Sequence, residues 1–256
     1  MSFYEDNRIE IKSTAEVEIM RTAGRMLREI LDELGSIIKP GMSTWDLEER
    51  ARILFKKNNV QPAFLGYQGF PAALCTSINQ EVVHGIPSPR RALKSGDLLK
   101  VDAGLNYQGF YSDSARTFPI GEVDAEAKRL LETAEQALWK GIEKAVPGNR
   151  LFDISSAIQS QAENAGFSVV REYTGHGIGR RLHEPPQIPN FGKPGKGPRL
   201  RKGMVFAIEP MVNAGGFETR VLPDEWTVET ADGLLSTHFE HTVAILEEGP
   251  EVLTAQ

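Results

Sequence analysis

The sequence predicts a duplicated α+β fold in which two similar halves face each other across a pseudo-two-fold axis. Three observations predict it. Apolar residues recur at helical spacing in four segments, β-prone runs follow each pair of helical segments, and a single offset of 107 residues joins matching signals in the two halves. We therefore expect a single domain over residues 1–256, with halves of about 13–120 and 121–256 and a central cleft between them.

Four helices are predicted, two in each half. Ser13 followed by Glu16 forms a capping box before the first apolar run, and Gly35 ends that run. A Pro-Gly turn precedes the second helix, and another precedes the fourth. The predicted helices cover residues 13–35, about 43–57, about 124–146 and about 154–165.

Strands are predicted where β-branched and aromatic residues form short runs after each helical pair. In the last long run, apolar and polar residues alternate, which places Glu240 on the face opposite Phe239. The predicted strands cover residues 98–101, 110–117, 204–208, 237–244 and 252–253.

The 107-residue offset indicates an internal duplication. Pro-Gly pairs are common turn signals, so a single match would be compatible with chance. Here one offset joins two separate segments, and each half has an acidic residue at the end of a matching apolar strand. The matched pairs are Pro40 and Pro147, Gly96 and Gly203, and Asp102 and Glu209.

Composition limits the classes of protein to which the chain can belong. The net charge of −6 argues against a surface devoted to nucleic acid, and no apolar stretch is long enough for a membrane span. The first 13 residues lack the pattern of a signal peptide, and the single cysteine, Cys75, cannot form an intramolecular disulfide. We expect a cytoplasmic protein that makes no membrane contact.

Asp102 and Asp113 flank a glycine-containing turn at residues 106–109. If the two strands pair about a centre between Tyr107 and Gln108, the two carboxylates lie directly opposite each other on one face. Like charges so placed repel unless a cation lies between them. Two solvated hairpin acids are the alternative, but the apolar neighbours of both residues predict a buried hairpin.

Three further residues belong with this acidic pair. His176 lies among glycines in a predicted loop, Glu209 ends an apolar strand before Pro210, and Glu240 lies in the last long strand. Each alone is more often a turn histidine or a solvent-facing acid. Together with the aspartates they form a set of four carboxylates and one imidazole, which suits two divalent ions better than one tetrahedral zinc. The chain has no HExxH or CxxC motif.

With His84 in the segment VVHGIP, this ordered set resembles the methionine aminopeptidases over nearly the whole chain. The resemblance implies the duplicated pita-bread (creatinase/aminopeptidase) fold. It also implies a single catalytic domain that removes the initiator methionine from nascent proteins when the second residue is small. The 31 positions from Glu209 to Glu240 leave no room for the insertion of the type II enzymes. With the short N-terminal segment, this spacing resembles the bacterial type I form.

The resemblance assigns a role to each metal ligand. It implies that Asp102 binds one divalent ion, that His176 and Glu209 bind a second, and that Asp113 and Glu240 bridge both. Manganese, iron, cobalt and zinc all accept such ligands.

The resemblance also assigns the substrate contacts. It implies that His84 and His183 contact the substrate near the scissile amide and that Glu209 moves the proton. Leu182 stands where the family commonly has phenylalanine. The residues that match the apolar pocket for the methionine side chain are Tyr67, Phe70, Cys75, Leu182, Met211 and Trp226.

A basic loop contrasts with the acidic chain. Five positive charges lie within residues 193–202, among glycines and prolines. A solvated loop is one interpretation. The other is a transient, salt-sensitive contact with ribosomal RNA, because nascent chains emerge there. We expect the protein to act on nascent chains as a monomer.

Three other functions share some of these features. A proline-directed aminopeptidase or creatinase-like enzyme has the same fold but typically an additional N-terminal domain. A binding module without activity would not need all five ligand positions filled. A cysteine hydrolase would use Cys75, beside which no third orienting group is evident.

Overall fold

All four predicted helices form. The computed structural model describes residues 9–255. Residues 1–8, in the segment without a signal-peptide pattern, and Gln256, at the end of the predicted domain, lie outside the described residues. The helices are α1 (Thr14–Ile37), α2 (Thr44–Lys57), α3 (Ala125–Ile142) and α4 (Leu151–Asn164).

Local side chains explain where the helices begin and end. Ser13 caps α1 and Asp124 caps α3, each through its side-chain oxygen. Helix α4 begins three residues earlier than predicted because the Asp153 carboxylate accepts the Arg150 backbone N–H at 2.7 Å. Helix α3 ends before the predicted residue 146 because the chain closes into a turn there, with the Ala145 N–H donating to Ile142 O.

The sequence predicts that α1 ends at Gly35. In the structure Gly35 lies inside the helix. A Cβ at this position would be 2.7 Å from Cε1 of Phe118. The glycine therefore lets α1 pack closely against the strand that carries Phe118, and the helix continues for two residues beyond it.

Fifteen short and long strands form among residues 9–255 and pair antiparallel. They are β1 (Gln61–Pro62), β2 (Leu74–Ile78), β3 (Glu81–Val83), β4 (Leu98–Tyr107), β5 (Phe110–Pro119), β6 (Ser168–Val169), β7 (Thr174–Gly177), β8 (Glu184–Pro189), β9 (Val205–Ile208), β10 (Met211–Asn213), β11 (Thr219–Val221), β12 (Val228–Thr230), β13 (Ser236–His238), β14 (His241–Leu246) and β15 (Gly249–Val252).

Four sheets organise these strands. In the first half, β4 pairs with β5 along its whole length and with β1 and β2 at separate stretches. In the second half, the largest sheet has the order β15-β14-β9-β7-β8. Two three-stranded sheets complete the fold, in the orders β13-β10-β6 and β11-β12-β3. The last of these joins the halves, because β3 belongs to the first half and β12 to the second.

The predicted duplication is confirmed by equivalent hydrogen bonds. The Gly41 N–H donates to Leu93 O at 2.8 Å, and the Gly148 N–H donates to Leu200 O at 3.0 Å. Both donors and both acceptors are related by the 107-residue offset. Helices α2 and α4 have 14 residues each and are related by the same offset. The two halves therefore repeat the packing of helix, turn and strand.

Three of the four apolar clusters found among residues 9–255 are large. One lies mainly in the first half around α1, α2 and β4, and another lies mainly in the second half around α3, α4 and β9. A third cluster contains side chains of both halves, among them Met20, Phe70, Leu182 and Val205. This shared cluster forms the wall behind the candidate site. Among residues 9–255, no helix has the length and apolar character needed to cross a membrane.

Candidate metal centre

The β4–β5 hairpin places two of the predicted ligands. Its register differs from the predicted one: Asp102 pairs with Ala115, and Asp113 pairs with Gly104. The turn residues are Gln108 and Gly109, both with positive φ (51° and 82°), as in a type I′ turn. The aspartates are therefore diagonal neighbours rather than direct partners. Their side chains still share one face, because the register is shifted by two residues.

The glycines around His176 predict a loop. In the structure His176 lies in strand β7. A Cβ on Gly175 would be 2.5 Å from Ala207 O, and one on Gly177 would be 2.2 Å from Pro185 O. The glycines therefore permit close approach of the neighbouring strands β9 and β8. The imidazole is buried rather than exposed.

Glu240 lies in a break between β13 and β14, so the predicted continuous strand over 237–244 is wrong. The break exists because the backbone there bonds to β5: the Glu240 N–H donates to Ala115 O at 2.9 Å, and Ser114 Oγ donates to Glu240 O at 2.8 Å. These bonds hold Glu240 beside Asp113, although the two residues come from different halves. The Glu240 side chain is only 2% exposed.

Glu209 follows strand β9, as predicted. With the four residues above it lines one cavity of about 260 Å³. Candidate ligand atoms of Asp113, His176 and Glu240 all lie within 4.8 Å of one another. His176 Nε2 lies 3.6 Å from Glu209 Oε1 and 4.0 Å from Asp113 Oδ2. The structure thus brings all five predicted ligands to one cavity.

The electrostatics of this cavity fit divalent cations. Burial raises the pKa of Asp102 to about 7 and that of Glu209 to about 8. It also raises the pKa values of Asp113 and Glu240 well above their usual range. Asp102, Asp113 and Glu240 each have one buried carboxylate oxygen without a hydrogen-bond partner among the described residues. Divalent cations would stabilise the charged carboxylates and provide partners for these oxygens.

His176 is suited to bind a divalent cation as a neutral ligand. Burial lowers its pKa to about 3, so the ring is uncharged near neutral pH. Nδ1 lies 2.9 Å from Gly177 O, which can only accept, so we assign the proton to Nδ1. The lone pair on Nε2 then faces the carboxylates, as in a metal-binding histidine.

His84 and His183 also line this cavity. His84 has a φ of 60°, a left-handed conformation that is uncommon for a residue other than glycine, and burial lowers its pKa to about 4. The His183 ring lies 4.2 Å from that of His176, and its Nδ1 lies 2.8 Å from the Tyr67 hydroxyl. Glu184, the residue after His183, forms a buried ion pair with Lys12 that holds this segment in place.

An apolar wall lies on another side of the cavity. Phe70 and Trp226 are in edge-to-face contact with ring centroids 5.1 Å apart. Phe64 and Gln68, which the sequence analysis does not predict, also line the wall; both lie in the segment that carries Tyr67 and Phe70. The predicted residues on this wall are Tyr67, Phe70, Cys75, Leu182 and Trp226.

Met211 is placed differently from the other predicted pocket residues. It is fully buried in β10, packs in a cluster with Val83 and Val228, and lines an adjoining cavity of about 230 Å³. We call this second space the adjoining cavity; His84 and Glu209 line both spaces. The structure therefore does not bring Met211 to the apolar wall.

His238 also lines the adjoining cavity, and the sequence analysis does not predict it as a site residue. Its Nε2 lies 3.3 Å from Glu209 Oε2. The available signal was its position two residues before Glu240, on the same side of the alternating pattern.

Comparison with known proteins identifies the family. The model of "Metallopeptidase family M24" matches residues 18–247. The chain is 52% identical to the methionine aminopeptidase of Clostridium acetobutylicum, over 96% of this chain and 98% of that protein. It is 51% identical to methionine aminopeptidase 1 of Bacillus subtilis, over 95% and 98% of the two chains.

Solved structures agree with these relatives. The crystal structure of methionine aminopeptidase from Thermotoga maritima superposes with a TM-score of 0.95 and 48% identity, over 97% of this chain and 100% of that one. Prolidase from Pyrococcus furiosus gives a TM-score of 0.77 and 25% identity, but only 66% of that longer chain is covered. The resemblance to the methionine aminopeptidases and the pita-bread fold that it implies are confirmed. The family model covers most of the chain, and the chain therefore belongs to metallopeptidase family M24.

Proposed function

We propose that this protein is a methionine aminopeptidase, a metal-dependent hydrolase that removes the initiator methionine from nascent proteins when the second residue is small. One observation carries the proposal: a single cavity is lined by the five predicted metal ligands, three of which lie within 4.8 Å of one another, and by an apolar wall. The names of relatives about 50% identical over nearly the whole chain support it. We infer that residues 1–256 act as a single catalytic domain with halves of about 13–120 and 121–256.

We assign the metal ligands as follows. Asp102 would hold one divalent ion, His176 and Glu209 would hold a second, and Asp113 and Glu240 would contribute to both. The unpartnered oxygens of three of these carboxylates support the assignment. Manganese, iron, cobalt and zinc all suit this mixture of oxygen and nitrogen donors. Bound divalent ions would supply Lewis-acid activation of water and of the scissile carbonyl group.

Glu209 is suited to move the proton in this reaction. In the metal-free protein burial raises the pKa of its carboxyl group to about 8. A carboxyl group beside the reacting atoms can act as general base and then as general acid. The side chain also lies between the two cavities, within 3.6 Å of His176 on one side and 3.3 Å of His238 on the other. A group in this position can reach both the attacked carbonyl and the leaving amine.

His84 and His183 would contact the substrate beside the scissile amide. Burial lowers the pKa values of both, so each ring is neutral and offers one N–H donor and one acceptor. The contact between His183 Nδ1 and the Tyr67 hydroxyl leaves Nε2 available for the substrate. The left-handed backbone of His84 holds its imidazole at the junction of the two cavities.

The apolar wall would hold the methionine side chain. Phe70, Leu182 and Trp226 supply aromatic and aliphatic surface, which suits a flexible thioether. Cys75 contributes a thiol whose pKa is raised well above its usual range by burial and by nearby carboxylates. Such a thiol is a poor nucleophile, which argues against the cysteine hydrolase. Met211 lies behind the adjoining cavity, where the second substrate residue would lie.

The proposed partners are nascent polypeptides in the cytoplasm. The five basic side chains of residues 193–202 are all exposed, which suits a transient contact with ribosomal RNA. We infer that the protein acts as a monomer, since one chain supplies every proposed metal ligand. We also infer that it makes no membrane contact.

Three peptides test this function directly. With Mn²⁺ present, we expect methionine release from Met-Ala-Ser, little release from Met-Lys-Ser, and none from N-acetyl-Met-Ala-Ser. The first comparison tests whether only a small second residue is accepted, and the second tests the need for a free α-amine. Equal cleavage of Met-Ala-Ser and Met-Lys-Ser would contradict the proposed specificity.

A further inference from the structure

His238 and His176 flank the Glu209 carboxylate on two sides. His176 Nε2 is 3.6 Å from Oε1, and His238 Nε2 is 3.3 Å from Oε2. The family resemblance assigns a role to the first histidine but none to the second. His238 is 1% exposed and comes from β13, a different sheet from the one that carries His176.

The position of His238 is closely determined by its surroundings. Its backbone N–H donates to Thr117 Oγ1 at 3.0 Å, and the same hydroxyl donates to His238 O at 2.7 Å. Strand β13 is also held at Ser236, whose carbonyl oxygen accepts from the buried Lys100 ammonium at 3.0 Å. Thr117 and Lys100 lie on β5 and β4, the strands that carry Asp113 and Asp102. The imidazole is thus fixed relative to the proposed ligands.

The His238 ring also has buried polar atoms without hydrogen-bond partners. Neither ring nitrogen has a hydrogen-bond partner among residues 9–255, although the ring is almost fully buried. Buried polar groups are generally hydrogen-bonded, and an unpartnered one needs an explanation. Its Nε2 lies 3.3 Å from Glu209 Oε2 but outside hydrogen-bond geometry. Rotation of either side chain could align the His238 N–H with this oxygen and form the hydrogen bond.

We propose that His238 is a positioning residue for Glu209. Its neutral imidazole donates the Nε2–H to Glu209 Oε2, which leaves Oε1 directed toward His176 and the divalent ion that those two residues would hold. A partner of this kind, which orients a ligand without contacting the metal, fixes the carboxylate and lowers the cost of ordering it on binding. The part of the proposal that concerns peptide turnover rests on the proposed function, and the part that concerns metal binding does not.

Two variants of similar shape test the donor itself. Gln and Met have similar side-chain length, but only Gln carries an N–H group. We expect His238→Met to weaken Mn²⁺ binding to the metal-freed protein by about 10- to 100-fold in calorimetry, the range typical of lost outer-shell partners. His238→Gln should lose at least tenfold less affinity than His238→Met. For Met-Ala-Ser, His238→Met should lower kcat while KM changes little, because the residue does not contact the methionine side chain.

A second background separates positioning from a general effect on folding. In Glu209→Leu protein, which has no acceptor oxygen at this position, the difference in Mn²⁺ affinity between His238→Gln and His238→Met should disappear. Thermal unfolding of every variant checks that it folds, and His238→Leu replaces His238→Met if the latter does not. Equal Mn²⁺ affinity in His238→Gln and His238→Met protein would overturn the proposal. If wild-type protein binds Mn²⁺ but releases no methionine, the proposed function fails, and the metal affinities still decide the role of His238.

Discussion

Asp113 lies directly opposite Gly104 in the β4–β5 hairpin, and a Cβ on Gly104 would be 3.3 Å from Asp113 Oδ1. The same Cβ would be 2.9 Å from Cε1 of Phe64 on the apolar wall. The absence of a side chain at Gly104 therefore makes room both for a proposed metal ligand and for the substrate pocket. This relationship links the hairpin register to the chemistry of the cavity.

Replacing Gly104 with Ala should disturb both functions. We expect weaker Mn²⁺ binding, because Asp113 is displaced, and a higher KM for Met-Ala-Ser, because Phe64 moves into the pocket. Overpacking of this kind typically costs about 1–3 kcal/mol of folding stability, measurable by denaturant unfolding. Gly109→Asn is the matched control: it lies in the same hairpin, has open space around it, and has a φ of 82°, which Asn tolerates. Unchanged metal affinity in the Gly104 variant would contradict the proposed position of Asp113.

Replacing Glu240 with Gln tests the ligand shared by the two halves. The amide keeps the shape of the side chain but removes one of four negative charges. We expect turnover of Met-Ala-Ser to fall by about a hundredfold or more and the number of bound Mn²⁺ ions to fall. Folding should be retained, since the substitution removes an acid from a cluster of mutually repelling carboxylates. Glu248→Gln, in an exposed turn, is the control and should match the wild type. Full activity and normal metal content in the Glu240 variant would exclude it as a bridging ligand.

Metal binding should release protons near neutral pH. Because burial raises the pKa of Glu209 to about 8 and that of Asp102 to about 7, the metal-free site holds protons at pH 7 that a divalent cation must displace. We expect the apparent Mn²⁺ affinity to rise between pH 6 and pH 8. Calorimetry in buffers of different ionisation enthalpy measures the protons released. Affinity that is constant over this range would show that the carboxylates are already ionised.

The stability of the metal-free protein should change with pH in the opposite direction. A carboxyl group whose folded pKa is raised destabilises the fold progressively as pH rises from its unfolded value to its folded value. The buried histidines have lowered pKa values, so their contribution changes only below their ordinary pKa of 6.5. Lys100, whose pKa burial lowers to about 7, contributes in the opposite direction above pH 7, but four carboxyl groups outweigh one lysine. Between pH 6.5 and pH 8, therefore, the melting temperature of the metal-free protein should fall. A rise in that interval would contradict the raised carboxyl pKa values.

The basic loop offers a separate test. We expect the protein to co-sediment with ribosomes at low salt and to lose most of this binding when the five basic residues of 193–202 are replaced by Gln. Replacing five exposed basic residues of the first half by Gln changes the net charge equally and should have little effect on ribosome binding. The five exposed basic residues for this control are Lys39, Lys56, Lys57, Arg90 and Lys94. Equal ribosome binding by both variants would show that the loop is not a docking site.

Much of the fold could be predicted because its signals are local. One capping box, two Pro-Gly turns and apolar periodicity place the helices to within a few residues, and one sequence offset reveals the duplication. The hairpin register could not be obtained in this way. It depends on Gln108 adopting a positive φ, which the residue type does not favour and which the turn imposes.

The candidate site shows the same limit. The five ligands could be named because each is a polar residue in an apolar or glycine-rich setting. Met211 and His238 could not be placed correctly, because each depends on which sheet faces which. Met211 on β10 pairs with His238 on β13. Both residues line the adjoining cavity and not the apolar wall. Only the packing of the two halves reveals that arrangement.

Metal-dependent methionine release is the measurement that tests the central claim most directly. The enzyme is treated with a chelator, freed of it, and assayed on Met-Ala-Ser while Mn²⁺ is added back. The account predicts no methionine release from metal-free protein and recovery of activity in parallel with Mn²⁺ binding to the cavity lined by Asp102, Asp113, His176, Glu209 and Glu240. Undiminished release of methionine by protein shown to contain no divalent metal would contradict it.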